Sequence, residues 1–362
     1  MHTCIYLALA GTLSLTQPAF AQTPATTPPS ERPATSKASV LGADAFIGGG
    51  RRNEARGDAA VVSGGYGNTA SGLNAAIAGG NLHTASGTVA AIAGGNQNTA
   101  SAFGTSVGGG ALNSATGFGA TISGGAANRA SGEGSTVGGG LSNGATGAYS
   151  TVSGGSIGYA TAAYATVAGG NQNLASGQYS FAAGLGASAE HDGAFVWADS
   201  VFGNRASSRS NEFNVYAGGG VRLFSESDGG AGVLLAPGAG TWTSVSDRAA
   251  KENFGGVDPE EVLAGLESIS ISTWNYRTQD DDIVHIGPMA QDFHATFGLG
   301  VSPKGIDTVD ADGVALAAIQ GLSRRLTEQM ARKDAEIAAL REQVAELSSR
   351  SEELAAQLKH ER

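Results

Sequence analysis

Cysteine occurs once in 362 residues, at Cys4, inside a segment read below as a leader, so the mature chain is expected to have none and with it no disulfide framework, thiolate catalysis or cysteine-built metal site. Aromatic residues amount to only 6 %, so a conventional aromatic-filled core cannot run through most of the chain. Basic residues are few and scattered: the net charge is −11, no dense Lys/Arg cluster offers itself to a phosphate backbone, and nucleic acid is not an expected partner. No stretch beyond the first residues reaches the ~20 apolar residues that a membrane helix needs. Triple-glycine clusters are present but do not open helices inside βαβ units, so they fail the context test for phosphate loops, and no cofactor is expected.

What the chain does have is glycine. Its 57 glycines are about twice the ordinary frequency, and they recur in order. Residues 1–21 read as a signal peptide, a short apolar stretch ending in Ala19-Phe20-Ala21, so the mature chain is expected to start near Gln22. Cys4 lies inside that segment. Residues 22–40, rich in Pro, Thr and Ser, read as a disordered linker. From residue 41 a unit typified by "VVSGGYGNTASG" and "AIAGGNQNTASA" recurs, with a β-branched residue at 47, 62, 77, 92, 107, 122, 137, 152 and 167, an unbroken spacing of 15. Ala follows at 55, 70, 85 and onward to 175, and Asn fills most positions two before it: 68, 98, 113, 128, 143 and 173. A tenth, altered unit, "SFAAGLGASAEHDGAFVWADS", closes the run.

A fixed period of this size marks stacked supersecondary units, and Gly/Asn turns between short Val/Thr/Ile pieces make them β-coils. The expected fold is mostly β, opening with a β-solenoid. One aliphatic side chain and one alanine per coil bury little surface against the entropy of ordering fifteen residues, so burial against further copies is expected. These units resemble the YadA-like head repeats of trimeric autotransporter adhesins over residues 41–200. That resemblance implies a trimeric left-handed parallel β-roll; the family is usually built on 14 residues rather than 15. The C-terminal membrane barrel of that family is missing.

Residues 201–240 alternate apolar and polar residues between glycine turns. "EFNVYAGGGVRLFS" and "GVLLAPGAGTWTSV" read as β-hairpins of a neck. Residues 316–362 carry a heptad, with Leu316, Met330, Ile337, Val344 and Leu358 at one seam position and Ile319, Leu326, Leu340, Leu347 and Leu354 at the other. Ser323, Lys333 and Ser351 interrupt it. A coiled coil is expected, the other reading being one amphipathic helix packed on its own domain. The heptad leaves the strand number open, and a trimeric head implies three.

Few side chains offer chemistry. His83 replaces an Asn in one repeat and reads as a solvated turn residue, His191 sits in a loop-like "EHDG", and no metal site is expected because ligands must converge in number. Asp280-Asp281-Asp282 reads as a solvated loop. "SDRAAKENF" differs, because Ser with a nearby Lys is a nucleophile–base pairing. Five residues apart, Ser246 and Lys251 do not share a helix face. They meet only if Ser246 lies just outside a helix start, Asp247 caps it, and Lys251 reaches back across the first turn. An ordinary helix cap uses the same residues, and the motif alone does not choose.

The surroundings do. "GTWTSVSDRAAKENF", then "STWNY", "IGPMAQDF" and "DADGVALAAIQGL" ahead of the heptad, closely resemble the intramolecular chaperone domain of endosialidases, phage tail spikes and related fibres, an autoprocessing serine peptidase family. The resemblance implies an α+β chaperone domain over residues 241–315, Ser246 as nucleophile, Lys251 as general base and Val245–Ser246 as the scissile bond. Asp247, Arg248 and Asn253 match the family pattern without an assigned role, and Ala250 stands where the family commonly has a larger aliphatic residue. The functional expectation is an exported, trimeric, fibre- or adhesin-like protein, secreted or held at a cell surface, that matures by one autoproteolytic turnover. The rival reading is a non-catalytic repeat protein binding a polysaccharide, collagen or ice-like lattice.

Overall fold

The computed structural model describes residues 38–201, 203 and 205–360. The leader read over residues 1–21, and all of the linker except its last three residues, lie outside them. The chain divides after Ala217 into two units.

The first unit is a parallel β-solenoid. Two twelve-stranded sheets run along it, one taking strands from Ser39–Val40 and Glu54–Ala55 through to Arg205–Ala206, the other from Phe46–Ile47 and Val61–Val62 through to Phe213–Tyr216. Each strand pairs in parallel with its counterpart fifteen residues on, as in Thr69↔Thr84 and Ile77↔Ile92. A third file of single bridges, Arg51↔Tyr66 onward to Ser156↔Asn171, completes the coil. The spacing of 15 holds until Val167. There the register shifts, Gly169 faces Ala183, and Phe181 pairs with Phe195, fourteen residues on. The last coil is longer, with Phe195 facing Phe213.

Each coil buries an aliphatic residue, such as Ile77 or Val107, and two small ones, such as Ala70 and Ala75. Where the second small residue is Thr105, Ser135 or Ser150, its buried hydroxyl donates to a carbonyl three residues back. The remaining interior position belongs to asparagine. Asn53, Asn68, Asn98, Asn113, Asn128, Asn143 and Asn173 are all buried. In Asn113 the side-chain amide donates to the carbonyls of Gly109 and Gly125, both at 2.9 Å, and its oxygen accepts from the Asn128 amide at 3.0 Å. A buried polar group is tolerated when its partners are supplied, and here all three arrive from backbone, two of them from the following coil. Glycine at the facing corner is required: Gly65 has φ +93°, and a Cβ there would collide with the Gly80 carbonyl.

Two sequence expectations change. His83, read as solvated, is 0 % exposed. It stands in the asparagine file, donating its amide to Asn68 and accepting from Asn98 at Nδ1. Nε2 is left without a hydrogen-bond partner of good geometry. Burial lowers the His83 pKa from 6.5, opposed by nearby backbone groups of Gly95 and Asn98. "EFNVYAGGGVRLFS" is not one hairpin: 213–216 adds in parallel to the solenoid, whereas Val221–Phe224 pairs antiparallel with Gly232–Leu235 and thence with Trp242–Ser244. Alternation specifies an extended strand with two unlike faces, and both pairings satisfy it.

The second unit follows that three-stranded sheet with three helices and a two-stranded sheet, Ser272–Trp274 with His285–Gly287. Helix α1, Pro259–Ser268, starts on an Asp258 side chain that accepts from the Glu260 amide, with proline in its first turn, the residues that favour that end. Helix α2, Ala290–Phe297, stops at Gly298 in the left-handed conformation. Helix α3 is Thr308–His360. Its first turns bury Val314 and Ala318, and a Cβ at Gly321 would collide with the Pro259 carbonyl of α1. Arg325 bridges Glu260 and Glu267 of α1. From Leu326 to Leu358 every side chain is exposed, so the heptad seam is not packed on its own domain.

Two substitutions test the solenoid. Because the folded His83 pKa lies below its unfolded value, the unfolded chain binds the extra proton, and stability falls as pH drops below about 6.5. His83→Asn is expected to raise the melting temperature at neutral pH and to flatten its acid dependence between about pH 7 and 5. Val89 sits at a corner with φ 51°, a strained conformation for a β-branched residue, and is 43 % exposed. Val89→Asn, the residue found one coil earlier at Asn74, is expected to stabilise by about 1 kcal/mol in a denaturant titration.

Candidate functional site at the Ser246–Lys251 seam

The seam begins where the three-stranded sheet ends. Trp242–Ser244 pairs with Gly232–Leu235, and the Val245 amide donates to the Gly232 carbonyl at 2.9 Å, so the residue before Ser246 is held on the sheet. Immediately beyond, Asp247 accepts from the Ala249 amide at 2.9 Å and opens a 3₁₀ turn over Arg248–Ala250, with Lys251 back in extended conformation. A 3₁₀ turn takes three residues rather than 3.6. That tighter winding brings residues on its two flanks together: Lys251 Nζ donates to Ser246 Oγ at 2.6 Å.

Asp247, Arg248 and Asn253 surround this contact in different ways. Asp247 is the cap. The Arg248 guanidinium lies over the Phe254 ring, 5.5 Å from its centroid, a cation–π contact that closes the segment over the turn. Asn253 takes φ 57°, a left-handed position that asparagine tolerates better than most residues. Ser246 and Lys251 are both exposed. In this arrangement the lysine donates and so polarises the hydroxyl. Removing the serine proton requires the neutral amine, the form that burial or adjacent cations favour. Phe254 and the Arg248 contact are parts of the seam that sequence reasoning did not single out; an aromatic a few residues after the aspartate cap was the only available signal.

Other chemistry-bearing residues are engaged locally. His191 Nδ1 meets Ser207 Oγ at 2.8 Å, while that oxygen accepts from the Glu190 and His191 amides. Asp281 lies 3.4 Å from the Asn275 amide nitrogen in an exposed turn. No group of three or more His, Cys, Asp or Glu is placed to hold a metal among the described residues. Among the same residues, no helix is long and apolar enough to cross a membrane.

The profile of one family, described as chaperone of endosialidase, matches residues 246–299. The match starts at Ser246, covers a minor part of the chain, and ends before α3. No curated protein matches the chain.

Asp247→Ala is expected to loosen the turn by about 1 kcal/mol, the usual worth of a cap. The Ala249 amide should then exchange with deuterium several-fold faster while amides of α1 keep their rates.

Proposed function

We propose that this is an exported fibre-like surface protein whose C-terminal part brings copies of the chain together and then cuts itself from the repeat region at Val245–Ser246. A β-solenoid followed by a stretch similar to the chaperone of endosialidase fits a trimeric fibre-like protein. The single observation that carries the catalytic reading is the 2.6 Å contact between Lys251 Nζ and Ser246 Oγ, on the first residue of the family match. The N-terminal leader carries the proposal of export, and the YadA-like repeats that of an adhesin-type head.

In the reaction Ser246 Oγ attacks the Val245 carbonyl carbon. Its proton passes by way of the neutral Lys251 amine to the Ser246 nitrogen; the Val245–Ser246 amide breaks and an ester on Oγ replaces it. Water then attacks the ester, leaving a carboxylate at Val245 and returning the hydroxyl to Ser246, now an N-terminal residue. The substrate is the enzyme's own chain, already positioned on the sheet through the Val245 amide, so proximity supplies much of the rate. One turnover suffices.

Exposure of both groups in a single chain supports coupling between cutting and assembly. In this proposal cutting waits until neighbouring copies close around the seam and exclude water from it, so uncut monomers persist until copies meet. That order serves the solenoid. Its near-identical coils pair one unit out of register at little cost, and a C-terminal part that assembles first presents them in step. Removal of that part leaves the head kinetically trapped.

The test is the intact mass of residues 22–362 under denaturing conditions, for the parent, Ser246→Ala and Lys251→Ala. Two polypeptides divided between Val245 and Ser246 in the parent, and one undivided chain in each variant, are expected. An undivided parent chain, in a preparation that sediments as a trimer, returns the seam to a structural turn and leaves a non-enzymatic fibre.

A further inference from the structure

The exposed seam of α3 contains one charged residue. Between Leu316 and Leu358 the two heptad positions hold aliphatic residues or methionine except at Ser323, Lys333 and Ser351. Serine is small enough to sit in an apolar seam with little disturbance. Lysine is not: a buried ammonium is costly without a partner, and one polar side chain in such a seam specifies register at a cost in stability.

On the oligomeric reading above, the occupant of the seam is a second copy of this chain, and three observations on α3 fit one. Its opposite face is already taken in the first turns, where Val314 and Ala318 are buried and Arg325 bridges Glu260 and Glu267. Its apolar seam stays open: Leu316, Ile319, Leu326, Met330, Leu340 and Leu347 are each more than half exposed. From Leu326 to Leu358 no residue of the helix is buried by its own chain, although a solitary helix in water is marginal.

Lys333 is paired within its own helix, its Nζ meeting Glu336 at 2.9 Å. In heptad terms Lys333 takes a core position and Glu336 the flanking position just ahead of Ile337, the one that forms ion pairs between parallel helices. Arg341, five residues further on, holds the matching flank. When parallel copies lie in register, the ammonium groups share one layer beside the Glu336 carboxylates, and each Glu336 also faces an Arg341. A slip of one heptad puts Lys333 against Leu326 or Leu340 and leaves an ammonium buried in an aliphatic layer.

We propose that Lys333, with Glu336, is the register pin of the α3 assembly: a polar layer that makes only the in-step arrangement of copies acceptable and so sets all Ser246 seams, and the solenoids ahead of them, at one level. This rests on the oligomeric reading above.

The experiment uses residues 22–362 with Ser246→Ala, so that α3 stays attached, and Leu326→Cys as a reporter in the seam. Cys4 is absent from this span. In-register copies bring the introduced thiols together, and mild oxidation links them as disulfide-bonded pairs. Adding Lys333→Leu is expected to raise the melting temperature of the oligomer while cutting the yield of linked pairs to about half or below, because slipped arrangements become acceptable. Adding Lys333→Leu with Leu340→Lys moves the polar layer by one heptad and is expected to restore the yield. Undiminished linkage with Lys333→Leu, in an oligomer of unchanged size, overturns the pin while leaving the oligomer intact. A parent that sediments as a monomer overturns the oligomeric reading itself and the pin with it.

Discussion

The side-chain amide of the asparagine that most coils carry is the interaction on which the solenoid depends. Two backbone carbonyls and one backbone amide, lying four, twelve and fifteen residues away from Asn113, converge on it. The side chain therefore closes its own coil and fastens the next one at a fixed distance along the chain. Aliphatic burial alone cannot do this, because a coil with one Val or Ile and two small residues has little apolar surface to hide. The fifteen-residue period is the length over which both conditions hold together. Where the chain departs from it, the asparagine adapts: Asn173 reaches Gly184, eleven residues on, and accepts from Ala187, fourteen on. The lost residue is absorbed at the register shift after Val167.

Much of this was legible as recurrence and little of it as direction. Spacing located Val/Ile and Ala files, and both are buried. Asparagine was equally visible, but turn chemistry is its commoner use, and nothing in a single sequence separates an amide facing water from one facing a neighbouring backbone. His83 was misread for the same reason, since it inherits an interior place. The left-handed corners at Val89, Tyr149 and Tyr164 were hidden because their side chains are not those that favour such backbone. The strand at 213–216 joined the solenoid instead of a hairpin because partner choice depends on which edge is within reach.

Nearer the C-terminus the seam could be followed from capping rules. Asp247 as cap and Lys251 reaching back were expected around a helix; the turn is 3₁₀, and its tighter winding serves the contact better. The sheet bond of Val245 to Gly232 was out of reach, because antiparallel partners far apart in sequence leave no local mark. The heptad of α3 was plain. Its second face, formed by Val314, Ala318 and Gly321, was not, because those small residues carry a weak apolar signal and their role is to let α1 approach.

A stack joined only coil to coil behaves as a one-dimensional chain of nearest-neighbour couplings, and in such a chain one weak link matters more than the average. His83 occupies the coupling position yet makes fewer of its bonds than asparagine does. Gly158, buried in the same file with no side chain, interrupts it a second time, so the asparagines fall into the runs Asn53–Asn68, Asn98–Asn143 and Asn173. Each interruption then acts as a fuse at which unwinding from one end is expected to stop, confining damage to one run of coils.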